Sequence, residues 1–144
     1  MSATPRYLLD TNICIAYKKQ RLGVPERIRA LSAGEAAMSV VTWGELVLGA
    51  EKSQHRAASF DILKRIREII PVLGMDDDTG SHYGAIRGTL EKQGTIIGPN
   101  DLWIAAHARA HGLNLVTNNT REFQRVPDLA LEDWTRPDPA TEAP

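Results

Sequence analysis

Three acidic residues lie in stretches of the chain that are otherwise apolar. Asp10 follows a short apolar run, Glu45 lies inside the run 40–48, and Asp101 opens the nearly uncharged run 102–106. A carboxylate that is buried alone in apolar surroundings is costly, so each of them needs hydrogen bonds, a cation or a raised pKa. A divalent metal ion bound by all three acids would meet that need at once.

The chemistry of these candidate ligands indicates which ion to expect. Carboxylate oxygens are hard ligands, and no His or Cys belongs to the set, which favours Mg²⁺, with Mn²⁺ as a substitute. Such ions keep several waters and are often held by few carboxylates together with a substrate phosphate. We therefore predict a magnesium site formed by Asp10, Glu45 and Asp101.

Each acid also has a simpler explanation as part of a helix start. Asp10 could cap the helix that follows it, Thr42 with Glu45 matches a capping box, and Asp101 suits the positive end of a helix. These three explanations are independent of one another, whereas one shared ion accounts for all three acids. The shared ion also explains why no Lys or Arg lies next to them in the sequence.

Length and composition favour a single domain. The chain has 144 residues, 42% of them hydrophobic, which is enough to fill one core. We expect that domain over residues 1–134, followed by a disordered tail over residues 135–144 that has nothing to bury. The single Cys14 allows no internal disulfide, and the sequence has no signal-peptide core and no run long enough to span a bilayer. A cytoplasmic protein without a membrane partner is expected.

The charges are unevenly distributed along the chain. Residues 1–72 contain 11 Lys and Arg against 7 Asp and Glu, whereas residues 73–144 contain 6 against 11. The basic residues of the first half could form a surface that attracts phosphate, or they could be ordinary solvated positions on helices. These residues are Lys18, Lys19, Arg21, Arg27, Arg29, Lys64, Arg65 and Arg67.

Short apolar runs alternate with segments of helical periodicity. Strands are predicted at 7–9, 37–41, 69–73 and 113–117, with a minor strand near 129–131. Helices are predicted at 11–19, 25–33, 43–52 and 56–68, then from a cap at Asp76 to about 93, and again after Gly98-Pro99. This alternation predicts a parallel sheet that is covered by helices on both faces.

In such a sheet, ligands bind beyond the carboxyl ends of the strands. Asp10 stands at one such end, Glu45 lies one turn into the helix after the second strand, and Asp101 begins a helix that must pack nearby. Asn118 and Asn119 follow the strand that ends at Thr117, so they reach the same edge. The sequence therefore predicts that the three acids converge.

Other candidate sites have weaker support. His107 and His111 have the spacing of helical zinc ligands, but the glutamate of an HExxH motif and a third ligand are absent, so we expect surface residues. Trp43 and Trp103 are flanked by apolar residues and are predicted to lie in the core. Nothing in the sequence would make Cys14 a nucleophile.

Four segments together resemble a known family. They are Leu8-Leu9-Asp10-Thr11-Asn12, Val41-Thr42-Trp43-Gly44-Glu45-Leu46, the stretch 98–108 from Gly98 to Ala108, and the stretch 116–123 from Val116 to Phe123. In content and order they resemble the signatures of PIN-domain nucleases, and more closely those of the VapC toxins of bacterial toxin–antitoxin pairs. The resemblance extends from about Tyr7 to Trp134.

The resemblance implies a site and a reaction. The family consists of metal-dependent endoribonucleases, and Asp10, Glu45 and Asp101 match its invariant acids, which bind the metal and serve in catalysis. Many members have a fourth acid where this chain has Asn119, so the number of ligands and of metal ions is left open. Thr117 and Asn12, together with Asn119, match supporting polar positions.

The resemblance also implies a fold and partners. The expected fold is a PIN-like α/β/α sandwich with a central, mainly parallel sheet of four to five strands. The expected partners are a VapB-type antitoxin, a second copy of the chain in a homodimer, and an RNA substrate that is structured, such as tRNA. A toxin–antitoxin hetero-oligomer would contact operator DNA only through the antitoxin.

Two alternatives belong to other functional classes. A response-regulator receiver also places acids at strand ends, but it needs an acidic pair after the first strand and a Lys after the last, and this chain has Asp10 alone and Asn118-Asn119. A PIN fold without activity could act only as a protein-interaction module. The intact acids argue against that alternative, and an activity assay would exclude it.

Overall fold

Five parallel strands form one central sheet in the computed structural model, which describes residues 4–136. The strands are β1 (Tyr7–Leu9), β2 (Ala36–Ser39), β3 (Val72–Leu73), β4 (Asn114–Val116) and β5 (Leu131–Glu132). Their order across the sheet is β3-β2-β1-β4-β5, and every neighbouring pair is parallel. β1 is therefore the central strand, and its carboxyl end lies between those of β2 and β4.

Helices connect the strands within the described range. They are α1 (Thr11–Lys18), α2 (Val24–Arg29), α3 (Val40–Glu51), α4 (Arg56–Ile69), α5 (Asp77–Gln93), α6 (Pro99–Ala110) and α7 (Thr120–Phe123). α5 and α6 pack against each other along their lengths. The expected alternation of strands and helices is confirmed.

Two hydrophobic clusters lie on opposite faces of the sheet. Successive side chains of a strand point to opposite faces, so the fully buried Leu9 joins the cluster that contains residues of α1 to α4. The fully buried Leu8 joins the cluster that contains residues of α5, α6 and α7. Because both faces of the sheet are covered, the fold is the predicted α/β/α sandwich.

The second strand ends earlier than predicted. Val40 and Val41, expected in a strand over 37–41, instead begin α3, because the Ser39 hydroxyl caps that helix by accepting the Val41 N–H at 3.2 Å. The capping box suggested for Thr42 and Glu45 is therefore wrong. Glu45 lies in the second turn of α3, and its carboxylate takes no part in capping that helix.

The third strand is also shorter than predicted, since α4 continues to Ile69 and leaves only Val72–Leu73 in the sheet. The backbone N–H of Ile70 still donates to the Ile66 carbonyl at 2.7 Å, which extends the helical bonding pattern. The last strand lies at Leu131–Glu132, close to the segment predicted near 129–131.

Two helix boundaries follow from capping signals in the sequence. Asp76 caps α5 by accepting the Thr79 N–H at 3.0 Å, and Gly94 ends it with a φ of 67°, a left-handed conformation that favours glycine. α6 begins at Pro99, where the missing N–H has no cost. The short helix α7 was not predicted.

The single domain expected over residues 1–134 stays a prediction. The tail expected over residues 135–144 lies, beyond Arg136, outside the described residues. Cys14 is buried and free, as expected of a small apolar core residue. Of the helices in residues 4–136, none combines the length and apolar character needed to cross a membrane.

We expect the core against α6 to be sensitive to truncation. Ile104 is 0% exposed, so Ile104→Ala should lower the free energy of unfolding by about 2–5 kcal/mol through reduced burial and a residual cavity. Ile62 on α4 is 38% exposed, so Ile62→Ala is the matched control and should cost much less. Urea unfolding followed by circular dichroism measures both, and equal losses would contradict this assignment of the core.

Candidate active site

Asp10 is a buried carboxylate at the carboxyl end of the central strand. Its side chain is 4% exposed, and Oδ1 accepts the Thr11 N–H at 2.7 Å, so Asp10 also caps α1. Oδ2 accepts the Thr117 hydroxyl at 2.8 Å. Burial raises the pKa of Asp10 above its usual range, while the hydrogen bonds from Thr117 and Thr11 partly oppose that rise. The capping role and the site role are therefore compatible.

Thr117 joins the end of β4 to Asp10. Its hydroxyl donates to Asp10 and accepts the backbone N–H of Asn119 at 2.9 Å. Thr117 is fully buried, so this short chain of hydrogen bonds is shielded from water. The structure thus places Thr117, one of the predicted supporting residues, directly against Asp10.

The hydroxyl of Thr11, the residue after Asp10, connects Glu45 and Thr42 of α3 to the start of α1. The Thr11 hydroxyl donates to Glu45 Oε1 at 3.2 Å and lies 3.1 Å from the hydroxyl of Thr42. A hydroxyl has a single proton, so Thr11 donates to Glu45 and accepts from Thr42. Sequence reasoning assigned no role to Thr11, whose position in the first turn of α1 brings it to α3.

Asp101 lies in the first turn of α6, within the electrostatic field of the other acids. Burial and the negative charges of Asp10, Glu122 and Glu45 raise the pKa of Asp101 to about 7. The closeness of the Glu122 carboxyl group to Asp101 adds to this rise in the pKa of Asp101. The structure therefore brings the three predicted acids into one electrostatic neighbourhood.

Glu122 is a fourth acid of this site that sequence reasoning missed. Its Oε1 accepts the Gly98 N–H at 3.1 Å, just before α6, and its Oε2 accepts the side-chain amide of Asn119. Its charge contributes to raising the pKa of both Asp10 and Asp101. A signal was available, because Glu122 follows Asn119 at the three-residue spacing of one helical turn.

The remaining polar candidates lie less directly at the acids. Asn119 contacts Glu122, whereas Asn12 is exposed in the first turn of α1 and its side chain has no hydrogen bond within residues 4–136. The supporting roles proposed for Asn119 and Asn12 therefore stay predictions. Asn118 is exposed at the same edge of the sheet.

The donor set suits a hard divalent cation. Asp10, Glu45, Asp101 and Glu122 all offer carboxylate oxygens. Burial is the main cause of the raised pKa of Asp101, and the neighbouring negative charges, which a cation would offset, add to it. Over the described residues, no three His, Cys, Asp or Glu side chains lie close enough to hold an ion directly. A cation at this site would therefore have to be held partly through its own waters, as Mg²⁺ commonly is.

The two histidines of α6 have structural partners. His107 is buried, contrary to the expected surface position, and its Nδ1 lies 2.9 Å from the Ser39 hydroxyl that caps α3. Burial lowers the pKa of His107. His111 lies 3.4 Å from Asp76 Oδ1. These contacts anchor α6 to its neighbours.

Both tryptophans predicted in the core are half-buried. Trp103 stacks on Tyr83 with ring centroids 3.8 Å apart. Trp43 packs against the cluster around α1 to α4 and carries the Arg67 guanidinium 4.9 Å above its ring centroid. Each therefore packs one face of its ring and leaves part of the side chain accessible.

Comparison with known proteins identifies the family. The sequence profile of the PIN domain matches residues 7–129, most of the chain. The chain belongs to the PIN-domain family. This PIN domain is 45% identical over 131 residues to the tRNA(fMet)-specific endonuclease VapC of Shigella flexneri, covering 90% of this chain and 98% of that protein. It is thus a ribonuclease of the VapC family, as the sequence motifs indicated.

Solved structures agree with that placement. VapBC from Salmonella typhimurium, crystallised bound to DNA, contains a chain that is 37% identical with a TM-score of 0.86, covering 91% of this PIN domain and 99% of that chain. VapBC-1 from nontypeable Haemophilus influenzae contains a chain that is 41% identical with a TM-score of 0.84. The match covers 90% of this PIN domain and 98% of that chain. The predicted fold and family are confirmed.

The raised pKa of Asp101 predicts a pH-dependent effect of its removal. Between its usual pKa and about 7, folded Asp101 holds a proton that the unfolded chain has lost, so the associated stability disappears as pH rises through 7. Without metal, Asp101→Asn should therefore raise the melting temperature relative to the wild type more at pH 8 than at pH 5.

Thermal melts in the presence of a chelator measure this difference. Asp61→Asn is a suitable control, because Asp61 is an exposed aspartate on α4 and lies outside the acidic site. The control should leave the melting temperature nearly unchanged at both pH values. An equal gain for Asp101→Asn at pH 5 and pH 8 would contradict the assigned cause.

Proposed function

We propose that this chain is the toxin of a VapBC-type toxin–antitoxin pair and hydrolyses phosphodiester bonds of RNA with Mg²⁺, for which Mn²⁺ can substitute. One observation carries the proposal: Asp10, Glu45, Asp101 and Glu122 influence one another at one edge of the sheet in a VapC-family ribonuclease. Concentrated negative charge is unsuited to binding RNA directly. It is well suited to holding a cation that can then bind a phosphate of the RNA.

Asp10, Glu45 and Asp101 are the proposed metal ligands and catalytic residues, and Glu122 is added to them as a fourth acid. A bound divalent ion would supply a water of lowered pKa and neutralise charge that builds on the phosphate oxygens. Because the nucleophile would be water and not the ribose 2′-hydroxyl, the products should carry 5′-phosphate and 3′-hydroxyl ends.

The chain's other residues would orient these acids. Thr117 and the Thr11 N–H hold both oxygens of Asp10, so that carboxylate has one fixed direction. Thr11 directs one oxygen of Glu45, and Asn119 with the Gly98 N–H holds Glu122. Such positioning reduces the reorganisation needed when an ion and a phosphate arrive.

The proposed substrate is a structured RNA, and tRNA is the class to test first. A relative that is 45% identical bears the name tRNA(fMet)-specific endonuclease. Structured RNA is recognised mainly by shape and by exposed loop bases. The named target of that relative is therefore a suitable probe.

The proposed partner is a VapB-type antitoxin, since the similar solved structures are VapBC complexes. We further propose a homodimer and a toxin–antitoxin hetero-oligomer that contacts operator DNA only through the antitoxin. The proposed location is the cytoplasm, where RNA and antitoxin would both be present. The alternative of an inactive PIN fold predicts antitoxin binding without RNA cleavage.

Substitution of the acids should abolish cleavage without unfolding the protein. Asp10→Asn, Glu45→Gln, Asp101→Asn and Glu122→Gln each remove one charge and should each lower the cleavage rate by about 100-fold or more. Loss of metal positioning forfeits several kcal/mol of transition-state stabilisation, and each 1.4 kcal/mol is a factor of about ten. Cleavage of a tRNA(fMet) transcript with added Mg²⁺ or Mn²⁺ measures the effect.

The matched control is Glu26→Gln, which removes a carboxylate from an exposed ion pair on α2. Its activity should equal that of the wild type, and thermal melts should show that all five variants fold. Wild-type activity in any one of the four acid variants would remove that residue from the mechanism.

Asn119 should act on the site through Glu122. Asn119→Ala removes the amide that holds the Glu122 carboxylate and should reduce cleavage by about 10-fold, less than loss of Asp10 or Asp101. Asn119→Asp adds a charge and should tighten metal binding in the absence of RNA. Calorimetric titration of Mn²⁺ into the wild type and both variants measures this, and unchanged affinity in Asn119→Asp would show that the side chain does not face the ion.

A further inference from the structure

Many cations of the first half of this chain have no carboxylate partner. In the described part of the chain, Arg6, Arg29 and Arg56 form ion pairs with Glu35, Glu26 and Glu51. By contrast, eight Lys and Arg side chains between residues 11 and 72 have no described carboxylate oxygen within 4.0 Å. These eight are Lys18, Lys19, Arg21, Arg27, Lys52, Lys64, Arg65 and Arg67.

Six of these cations come from two helix regions that meet in space. The end of α1 and the outer side of α4 line one groove of about 220 Å³, to which Lys18 and Arg65 both contribute. All six are exposed. We call this set the basic face and define it as Lys18, Lys19, Arg21, Lys64, Arg65 and Arg67. The same stretch of α4 has two exposed acids, Asp61 and Glu68, so the face keeps a positive excess.

The basic face lies toward the amino ends of the strands, at the far end of α1 from the acidic site. Arg67 lies over the ring of Trp43, which is the neighbour of Thr42 on α3, and the Thr42 hydroxyl contacts Thr11 at the site. α1 itself begins next to Asp10 and ends at Lys18, about 12 Å away at 1.5 Å per residue. A structured RNA that spans this distance can therefore contact both the basic face and the acids.

A polyanion needs such a surface to reach this site. Four carboxylates repel the phosphates of an approaching RNA, so most of the attraction must come from cations outside the acidic cluster. The second half of the chain is poorer in cations, because residues 73–144 contain 11 acidic against 6 basic residues. Unpaired cations that neutralise phosphates are the usual source of affinity for nucleic acid.

We propose that the basic face binds the phosphate backbone of the RNA substrate while the scissile phosphate reaches the acids. This inference rests on the proposed function and adds the direction from which the RNA approaches. Groups that contact phosphates contribute to affinity independently of sequence and make binding sensitive to salt.

The test compares two variants that lose the same charge. Lys18→Gln combined with Lys64→Gln changes the basic face, whereas Arg87→Gln combined with Lys92→Gln changes α5, where Arg87 contacts only Glu91 and Tyr83 of the same helix through hydrogen bonds. The probe is a fluorescently labelled tRNA(fMet) transcript, bound without divalent metal so that no cleavage occurs. Fluorescence anisotropy at several salt concentrations gives Kd and its salt dependence.

The variant of the basic face should bind several-fold more weakly. Its log–log salt slope should fall in magnitude by about 1–2, because each phosphate that is no longer neutralised removes about 0.7–0.9 from the slope. The α5 variant should match the wild type in both quantities. Lys18→Arg with Lys64→Arg keeps the charge and should restore binding. With Mg²⁺ present, the effect should appear mainly in KM and less in kcat.

Three results would overturn the inference. An unchanged Kd and salt slope in the basic-face variant, with a wild type that cleaves the transcript, would show that RNA lies elsewhere. Normal RNA binding together with weakened capture of a VapB-type antitoxin would assign the face to that protein. A wild type that neither binds nor cleaves structured RNA would overturn the proposed function itself, and this inference with it.

Discussion

The buried carboxylate of Asp10 is the constraint on which the site depends. It stands at the end of the central strand with almost no access to water, and its two oxygens are held by the first N–H of α1 and by Thr117 at the end of β4. These bonds tie two strands and a helix to one point. A charge held there raises the pKa of Asp101, and the charge of Glu122 in turn raises the pKa of Asp10.

Such a cluster opposes folding, and the surrounding core must offset it. Leu8 and Leu9, next to Asp10, are fully buried on opposite faces of the sheet, so the strand that presents the charge is packed on both sides. Functional sites commonly keep locally unfavourable arrangements that the rest of the fold sustains. The threonine hydroxyls reduce the cost by bonding to the carboxylates without adding charge of their own.

The sequence predicted helix boundaries correctly where a local signal agreed with the tertiary structure. Asp76 and Gly94 bound α5 as their capping chemistry predicts, and the apolar surroundings of Asp10, Glu45 and Asp101 singled out three acids that the structure places near one another. The prediction from sequence failed where two local signals compete. Val40 and Val41 have strand-forming side chains, but the cap at Ser39 makes them helical. Glu122 was missed because its four-residue helix is too short to have a recognisable period.

The strand order has an electrical consequence. Because residues of α1 to α4 pack on one face of the sheet and residues of α5 to α7 on the other, the excess of basic residues over positions 4–72 and of acidic residues over positions 73–136 is separated across the sheet. The folded chain is therefore a dipole whose axis crosses the layers. A long-range field of this kind exerts a torque on a charged body before contact, and an arriving polyanion would be turned towards one side of the molecule.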